Sequence, residues 1–216
     1  MSEGDHYVVG TRTFAAEVLG FARDAGLHVV GLLEPFDRDR VGSEIHGMPV
    51  QWLEDAGARR AIVGTGETAR RETVARLRAV SAELVTLVHP RAHIAPTARV
   101  GTGAIVAPGV LVGACATIGD HVVCSRGTLV GHHTEIGKFV TLGPGVNVAG
   151  NVRIGADAFL GMGAVVRDHV TIGGSAVIGM GSVVVGDVDA ETEVRGVPAR
   201  PWRPRPAIAK GSSARP

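Results

Sequence analysis

From residue 94 onward an aliphatic side chain returns every six residues. The series is Ile94, Val100, Val106, Val112, Ile118, Cys124, Val130, Ile136, Leu142, Val148, Ile154, Leu160, Val166, Ile172, Ile178 and Val184. Cys124 is the one non-aliphatic member, and a free cysteine packs as a small hydrophobe. The next residue is usually glycine, as at 101, 113, 119, 131, 137, 143, 155, 161, 173 and 179. Four positions after the aliphatic the residue is small or β-branched, as in Val110, Val122, Val140, Val146, Val152 and Val170. A period of six matches neither the 3.6 of a helix nor the two of an alternating strand. It matches a three-sided prism in which three hexads make one coil, each contributing a short strand and a glycine-permissive corner. Residues one coil apart then stack at about 4.8 Å. Residues 94–189 make about five such coils with no slip of register, so no long loop leaves the prism. An ordinary β-sandwich would need the sixteen-membered series to arise by chance.

Composition agrees with a core made by repetition. There are 31 glycines and only 4% aromatic residues, whereas most cores take their bulk from aromatics.

The first ninety residues are different. Tyr7-Val8-Val9, His28 to Leu33, Ala61-Ile62-Val63 and Leu84 to Val88 read as buried strands. Helical patterns lie between them at 14–25 and 67–80, and Trp52-Leu53 open a short helix predicted at 51–56. Strands alternating with helices predict a small parallel sheet, Rossmann-like in kind. The expected organisation is an α/β domain over 1–90, an all-β parallel β-helix over 91–192 and a tail over 193–216. That tail carries Arg195, Arg200, Arg203, Arg205, Lys210 and Arg215 with no acid after Glu193, and its five prolines predict irregular structure.

A net charge of +1 gives no global reason to expect nucleic acid or an anionic membrane as partner. Met1 to His6 lacks the basic-then-apolar pattern of a signal peptide, and no apolar run approaches the ~18 residues of a membrane span. The expectation is a soluble cytoplasmic protein with Cys115 and Cys124 reduced. Two cysteines make no zinc motif.

Three segments extend the reading from fold to activity. They are Gly131-His132-His133-Thr134-Glu135-Ile136-Gly137, Val148-Ala149-Gly150-Asn151-Val152 and Arg195-Gly196-Val197-Pro198-Ala199-Arg200. With the hexads and the α/β start, the chain from about 7 to 203 resembles the hexapeptide acyltransferases that carry a nucleotide-binding-like N-terminal domain. That branch includes UDP-4-amino-sugar N-acetyltransferases and sialic acid O-acetyltransferases. The resemblance implies a left-handed β-helix, a homotrimer, acetyl-CoA as co-substrate, no metal, and a sugar as acceptor. It is partial in the N-terminal turn, where Gly10 remains but Arg12, Thr13 and Ala15 stand in place of later glycines. After the second strand the family tends to place paired acids, and here the pair is Glu34-Pro35. The acceptor site implied is Gly10, Thr11, Arg12, Thr13, Glu34 and Gly64.

His132 also stands out on its spacing. It lies two positions after Val130, where a side chain points out of the prism, and Gly150 stacks on it one coil later. Transfer from a thioester needs a base for the incoming amine or hydroxyl and a donor for the developing oxyanion. A neutral imidazole, ordinarily titrating near ~6.5, suits the first role, and the family pattern assigns the second to the Gly150 N–H. His133 takes the position of an acid that supports the base in several members, with Asn151 placed one coil on to hold its ring. Glu135 stacks with Arg153 and reads as a surface pair. By position in the family, Thr141 lines the thioester end, Met162 and Met180 lie along the pantetheine arm, and the basic tail is available to coenzyme A phosphates.

The main expectation is N-acetylation of a nucleotide-linked amino sugar, with sugar O-acetylation second. A zinc lyase of this fold would need two histidines stacked two coils apart and a third five positions later. His133 and His169 meet the first condition, but position 174 is glycine. A non-catalytic β-helix binding protein would have no reason to keep His132 and Gly150 in register.

Overall fold

The computed structural model describes residues 4–55 and 59–202. In the N-terminal domain, β1 (His6–Val9), α1 (Thr13–Asp24), β2 (Val29–Glu34), β3 (Glu44–Ile45), β4 (Met48–Trp52), β5 (Arg60–Val63), α2 (Glu67–Ala79) and β6 (Glu83–Leu84) follow in order. The sheet order is β3-β4-β2-β1-β5-β6, parallel except for the β3–β4 hairpin. One side buries Val8, Leu32 and Ile62 with Val18 and Leu19 of α1. The other buries Tyr7, Val9 and Leu33 with Val74 and Leu77 of α2.

In place of the short helix expected at 51–56, the described residues are the end of strand β4 and a turn. Val50 pairs with Leu32 and Trp52 with Glu34, and a turn follows at 53–55. The hairpin turn at His46-Gly47, both with φ above 50°, sets β4 on the sheet edge. Pairing with β2 outweighs a local apolar pair that suits either structure. The strand expected at Leu84 to Val88 divides instead: Leu84 pairs with Ala61 in the sheet, while Leu87 pairs with Ile105 as the first rung of the prism.

From Leu87 the chain winds into a parallel β-helix of short strands, each paired with its counterpart in the next coil. The periodic aliphatics are its interior: Val106, Cys124, Leu142, Leu160 and Ile178 are fully buried along one edge. Ile94 and Val100 are only half-buried because no full coil lies below them. Truncating a fully packed rung such as Leu160 to alanine is expected to cost about 2–5 kcal/mol. The glycines after each aliphatic serve close approach between coils rather than backbone freedom. A Cβ on Gly137 would stand 2.6 Å from the Ala156 nitrogen of the next coil. Positive φ falls two positions later, where histidine, asparagine and phenylalanine also occur, including His133 at +55° and Asn151 at +57°.

The last coil is shortened by two positions. Val177 pairs with Glu193 and Ile178 with Val194. The expectation of irregular structure after 193 is therefore corrected in part, since Glu193–Arg195 is a strand and Arg200–Pro201 pairs antiparallel with it. Pro198 falls in the intervening turn and Pro201 on the open edge, where no ladder N–H is needed. Arg203, Arg205, Lys210 and Arg215 lie outside the described residues. Among the described residues no helix is long and apolar enough to cross a membrane.

The prism has three faces that differ in their outward residues. One is roofed by the N-terminal domain and buries Leu87, Ile105, Val123 and Thr141. The second is apolar and open, with Leu111 47% and Val165 39% exposed. The third is polar, presenting Thr117, Glu135, Arg153 and Thr171 to solvent.

Candidate active site

His132 sits at the corner between the apolar and polar faces, opposite the roofed face. Its imidazole covers Gly150: a Cβ there would stand 2.6 Å from the ring Cε1 and 2.7 Å from Nε2. Gly150 thus gives the ring its seat. His133, turned back by its positive φ, places its Nδ1 3.1 Å from the Nδ1 of His132, the rings edge to face. Both rings are exposed in the single chain. The side chain of Asn151 does not take the place expected for it. Among the described residues it makes no hydrogen bond to His133, and its backbone N–H donates to the His132 carbonyl at 2.9 Å. Glu135 and Arg153 form a 3.7 Å surface pair.

Thr141, Met162 and Met180 lie elsewhere, around a cavity of about 630 Å³ between the roofed face and the first turns of α1 and α2. Met162 and Met180 are 55% and 73% exposed at its rim. Thr141 is buried, and its hydroxyl accepts a 2.9 Å hydrogen bond from Arg70 Nη2 of α2. Arg70 is 3% exposed, and its Nη1 donates to the carbonyls of His121 (3.2 Å) and Phe139 (3.5 Å). Burial pushes this guanidinium down to about 10, partly opposed by the charge of Glu67. Arg70 went unseen in the sequence because an arginine in a helix rich in Arg and Glu reads as solvated; no local signal separates it from Arg71.

A second cavity, of about 500 Å³, opens at the carboxyl ends of β1, β2 and β5. It brings together Gly10, Thr11, Arg12, Thr13, Glu34 and Gly64, all six residues implied for the acceptor. Their parts differ. Arg12 and Thr13 are exposed at the start of α1, whereas the Thr11 hydroxyl donates to Glu34 and both are buried. Glu34 also accepts from the N–H groups of Phe36 (2.8 Å) and Asp37 (3.1 Å). Its carboxylate is engaged by these three donors, so it shapes the cavity wall rather than reaching across it. Gly10 has φ +109°, and a Cβ on Gly64 would meet Ala15 Cα and Val9 O at 3.0 Å. The N-termini of α1 and α2 both point into this space, an arrangement suited to an anion.

Comparison with known proteins agrees with this architecture. Residues 133–168 and 151–186 match the bacterial transferase hexapeptide (six repeats) model. No curated protein matches the sequence significantly. Among solved structures, PerB from Caulobacter crescentus in complex with CoA and GDP-perosamine is 32% identical. The alignment covers 93% of this chain and 98% of that one, with a TM-score of 0.85. The acetyltransferase domain of PglB from Neisseria gonorrhoeae, in complex with acetyl coenzyme A, is 28% identical over 92% of this chain and 98% of that one, with a TM-score of 0.84. The chain therefore belongs to the hexapeptide-repeat acyltransferases. Within them it falls in the branch of the sugar acetyltransferases.

Proposed function

We propose that this protein transfers an acetyl group from acetyl-CoA to the amine of a nucleotide-linked amino sugar, with His132 as general base. The observation that carries this reading is the His132 ring seated over Gly150 with His133 Nδ1 3.1 Å from its Nδ1. One hydrogen is shared between the two Nδ1 atoms. With His132 donating it, the Nε2 of His132 keeps its lone pair and can take a proton. His133 then accepts from the imidazolium that forms and steadies it, which is the part an acid plays in several relatives. The amine nitrogen bonds to the thioester carbonyl carbon, its proton passes to His132 Nε2, and the carbon–sulfur bond breaks. The proton then passes to the departing thiolate. The N–H of Gly150 is assigned to the oxyanion, and the Met162–Met180 rim to the pantetheine arm.

His132 lies at the prism corner opposite the roofed face, whereas both cavities lie on the roofed side, so a single chain does not close the site. A homotrimer supplies the missing wall: it covers the apolar faces carrying Leu111 and Val165 and sets each His132 corner against a neighbour's cavity rim. The nucleotide is assigned to the cavity of Gly10, Thr11, Arg12, Thr13, Glu34 and Gly64, where Arg12 supplies a forked donor for phosphate. Dependence on acetyl-CoA assigns the reaction to the cytoplasm. Mixing the protein with acetyl-CoA and either GDP-perosamine or a UDP-linked 4-amino sugar, and following release of free thiol, tests the reading. Acetylated product from at least one acceptor is expected; no release with any amino sugar, alongside tight acetyl-CoA binding, would move the acceptor to a sugar hydroxyl.

A further inference from the structure

The two cavities adjoin. Both are lined by Phe14 of α1 and Gly66 at the start of α2, and side by side they reach from the first turn of α1 to the Met162–Met180 rim. For a ligand anchored by its phosphates at the helix N-termini, the neighbouring space lies past Phe14 and Gly66. The buried polar groups it meets there are Arg70 and Thr141.

These two residues are arranged to present a hydrogen-bond donor. The guanidinium of Arg70 can only donate, and it uses one N–H on a lone pair of Thr141 Oγ1 at 2.9 Å. That leaves the hydroxyl hydrogen of Thr141 for another acceptor. Among the described residues no acceptor within hydrogen-bonding distance takes it. A charged donor behind the oxygen polarises the O–H and strengthens the bond it makes next. The Nε of Arg70 is itself buried without a partner. Such a pair has no need to line a cavity if its only task is to fasten α2 to the prism. Arg71 to Asp157 (2.7 Å) and Arg78 to His121 (3.1 Å) already do that on the same helix.

We propose that Arg70 and Thr141 form the subsite for the sugar ring of the acceptor, with the Thr141 hydroxyl donating to a ring or hydroxyl oxygen and Arg70 positioning it. This rests on the reading of the protein as a nucleotide-sugar acetyltransferase. It moves Thr141 from the acyl donor, where family position put it, to the acceptor. The α/β domain then reaches the sugar through its own α2, so specificity for the ring is set at the contact between the two domains.

The test is the contribution of the sugar to binding, measured as the ratio of dissociation constants for free nucleotide and nucleotide sugar. GDP, UDP, GDP-perosamine, a UDP-linked 4-amino sugar and acetyl-CoA are titrated calorimetrically against the full chain and its Thr141→Val and Thr141→Ser variants. Thr141→Val is expected to shrink the ratio roughly three- to ten-fold, the weight of one hydrogen bond. Free nucleotide and acetyl-CoA should bind as before, and Thr141→Ser should retain the ratio. Arg70→Met added to Thr141→Val should lower the ratio no further. An unchanged ratio in Thr141→Val, or a loss confined to acetyl-CoA, overturns the assignment. If the unaltered protein binds acetyl-CoA but none of the nucleotides or nucleotide sugars, the functional reading fails first and the subsite with it.

Discussion

The roofed face and the apolar face of the prism are built on the same ladder and end in different fates. Inside, both stack aliphatics coil upon coil; outside, one shows Ile105, Val123 and Thr141, the other Leu111, Leu129 and Val165. The first set is buried by α1 and α2 of the same chain, whereas Leu111 remains 47% exposed. The lesson is that a β-helix leaves its outward positions free once its interior is satisfied. What covers each face is decided by partners outside the repeat. The two candidate sites border those faces: the cavity under the roof, and the His132 corner beside the uncovered face.

If the uncovered face is where a neighbour completes the site, the largest effect belongs to its corner. His132→Ala is expected to lower turnover by roughly 10²–10⁴ with little change in acetyl-CoA affinity, the range for loss of a general base. Near-normal turnover in that variant would remove His132 from the mechanism. Next comes a direct comparison of two faces. Leu111→Glu on the apolar face should convert a trimer to a monomer in light scattering and take activity with it, since an unpaired charge there is costly to bury. Thr117→Glu on the polar face should change neither mass nor rate. A monomeric mass for the unaltered protein at micromolar concentration would end the comparison.

Smaller effects sharpen it. In Gly150→Ala the new Cβ would fall 2.6 Å from the His132 ring. The ring must move, so a loss of roughly ten-fold in turnover is expected with the melting temperature nearly unchanged. The smallest effect concerns the roof. His121 is 1% exposed, and burial, then Arg78, then Arg70 and Arg71, hold its pKa below the ordinary value against the opposing charge of Asp120. The unfolded chain then binds a proton that the folded chain refuses, so stability falls as pH drops below about 6.5. A melting temperature that declines a few degrees between pH 7 and pH 5.5, and declines less in His121→Gln, is the expected result. An identical decline in the variant would place the acid sensitivity elsewhere.

The sequence carried the prism almost whole because a repeat tests its own reading at every turn. It carried the N-terminal domain less well. The pair Trp52-Leu53 suits helix or strand, and β4 exists because β2 offers an open edge. The single run from Leu84 to Val88 serves two sheets, a division visible only once Ala61 and Ile105 are in place. At the His132 corner the one-coil spacing was legible, but the ring's seat over Gly150 and the turn of His133 toward it depend on side-chain direction.

By itself the sequence determined the β-helix, its register, the α/β start and the conjunction of His132 with Gly150, since each follows from period and stacking within one chain. Only the tertiary structure decided that Glu34 is engaged by Thr11 and its own loop, that the two cavities share Phe14 and Gly66 in their walls, and that Arg70 stands behind Thr141. The physical reason is separation along the chain. Arg70 and Thr141 are 71 residues apart, one on α2 and the other in the repeat. No local propensity or period connects them; the docking of a helix onto one face of a prism does.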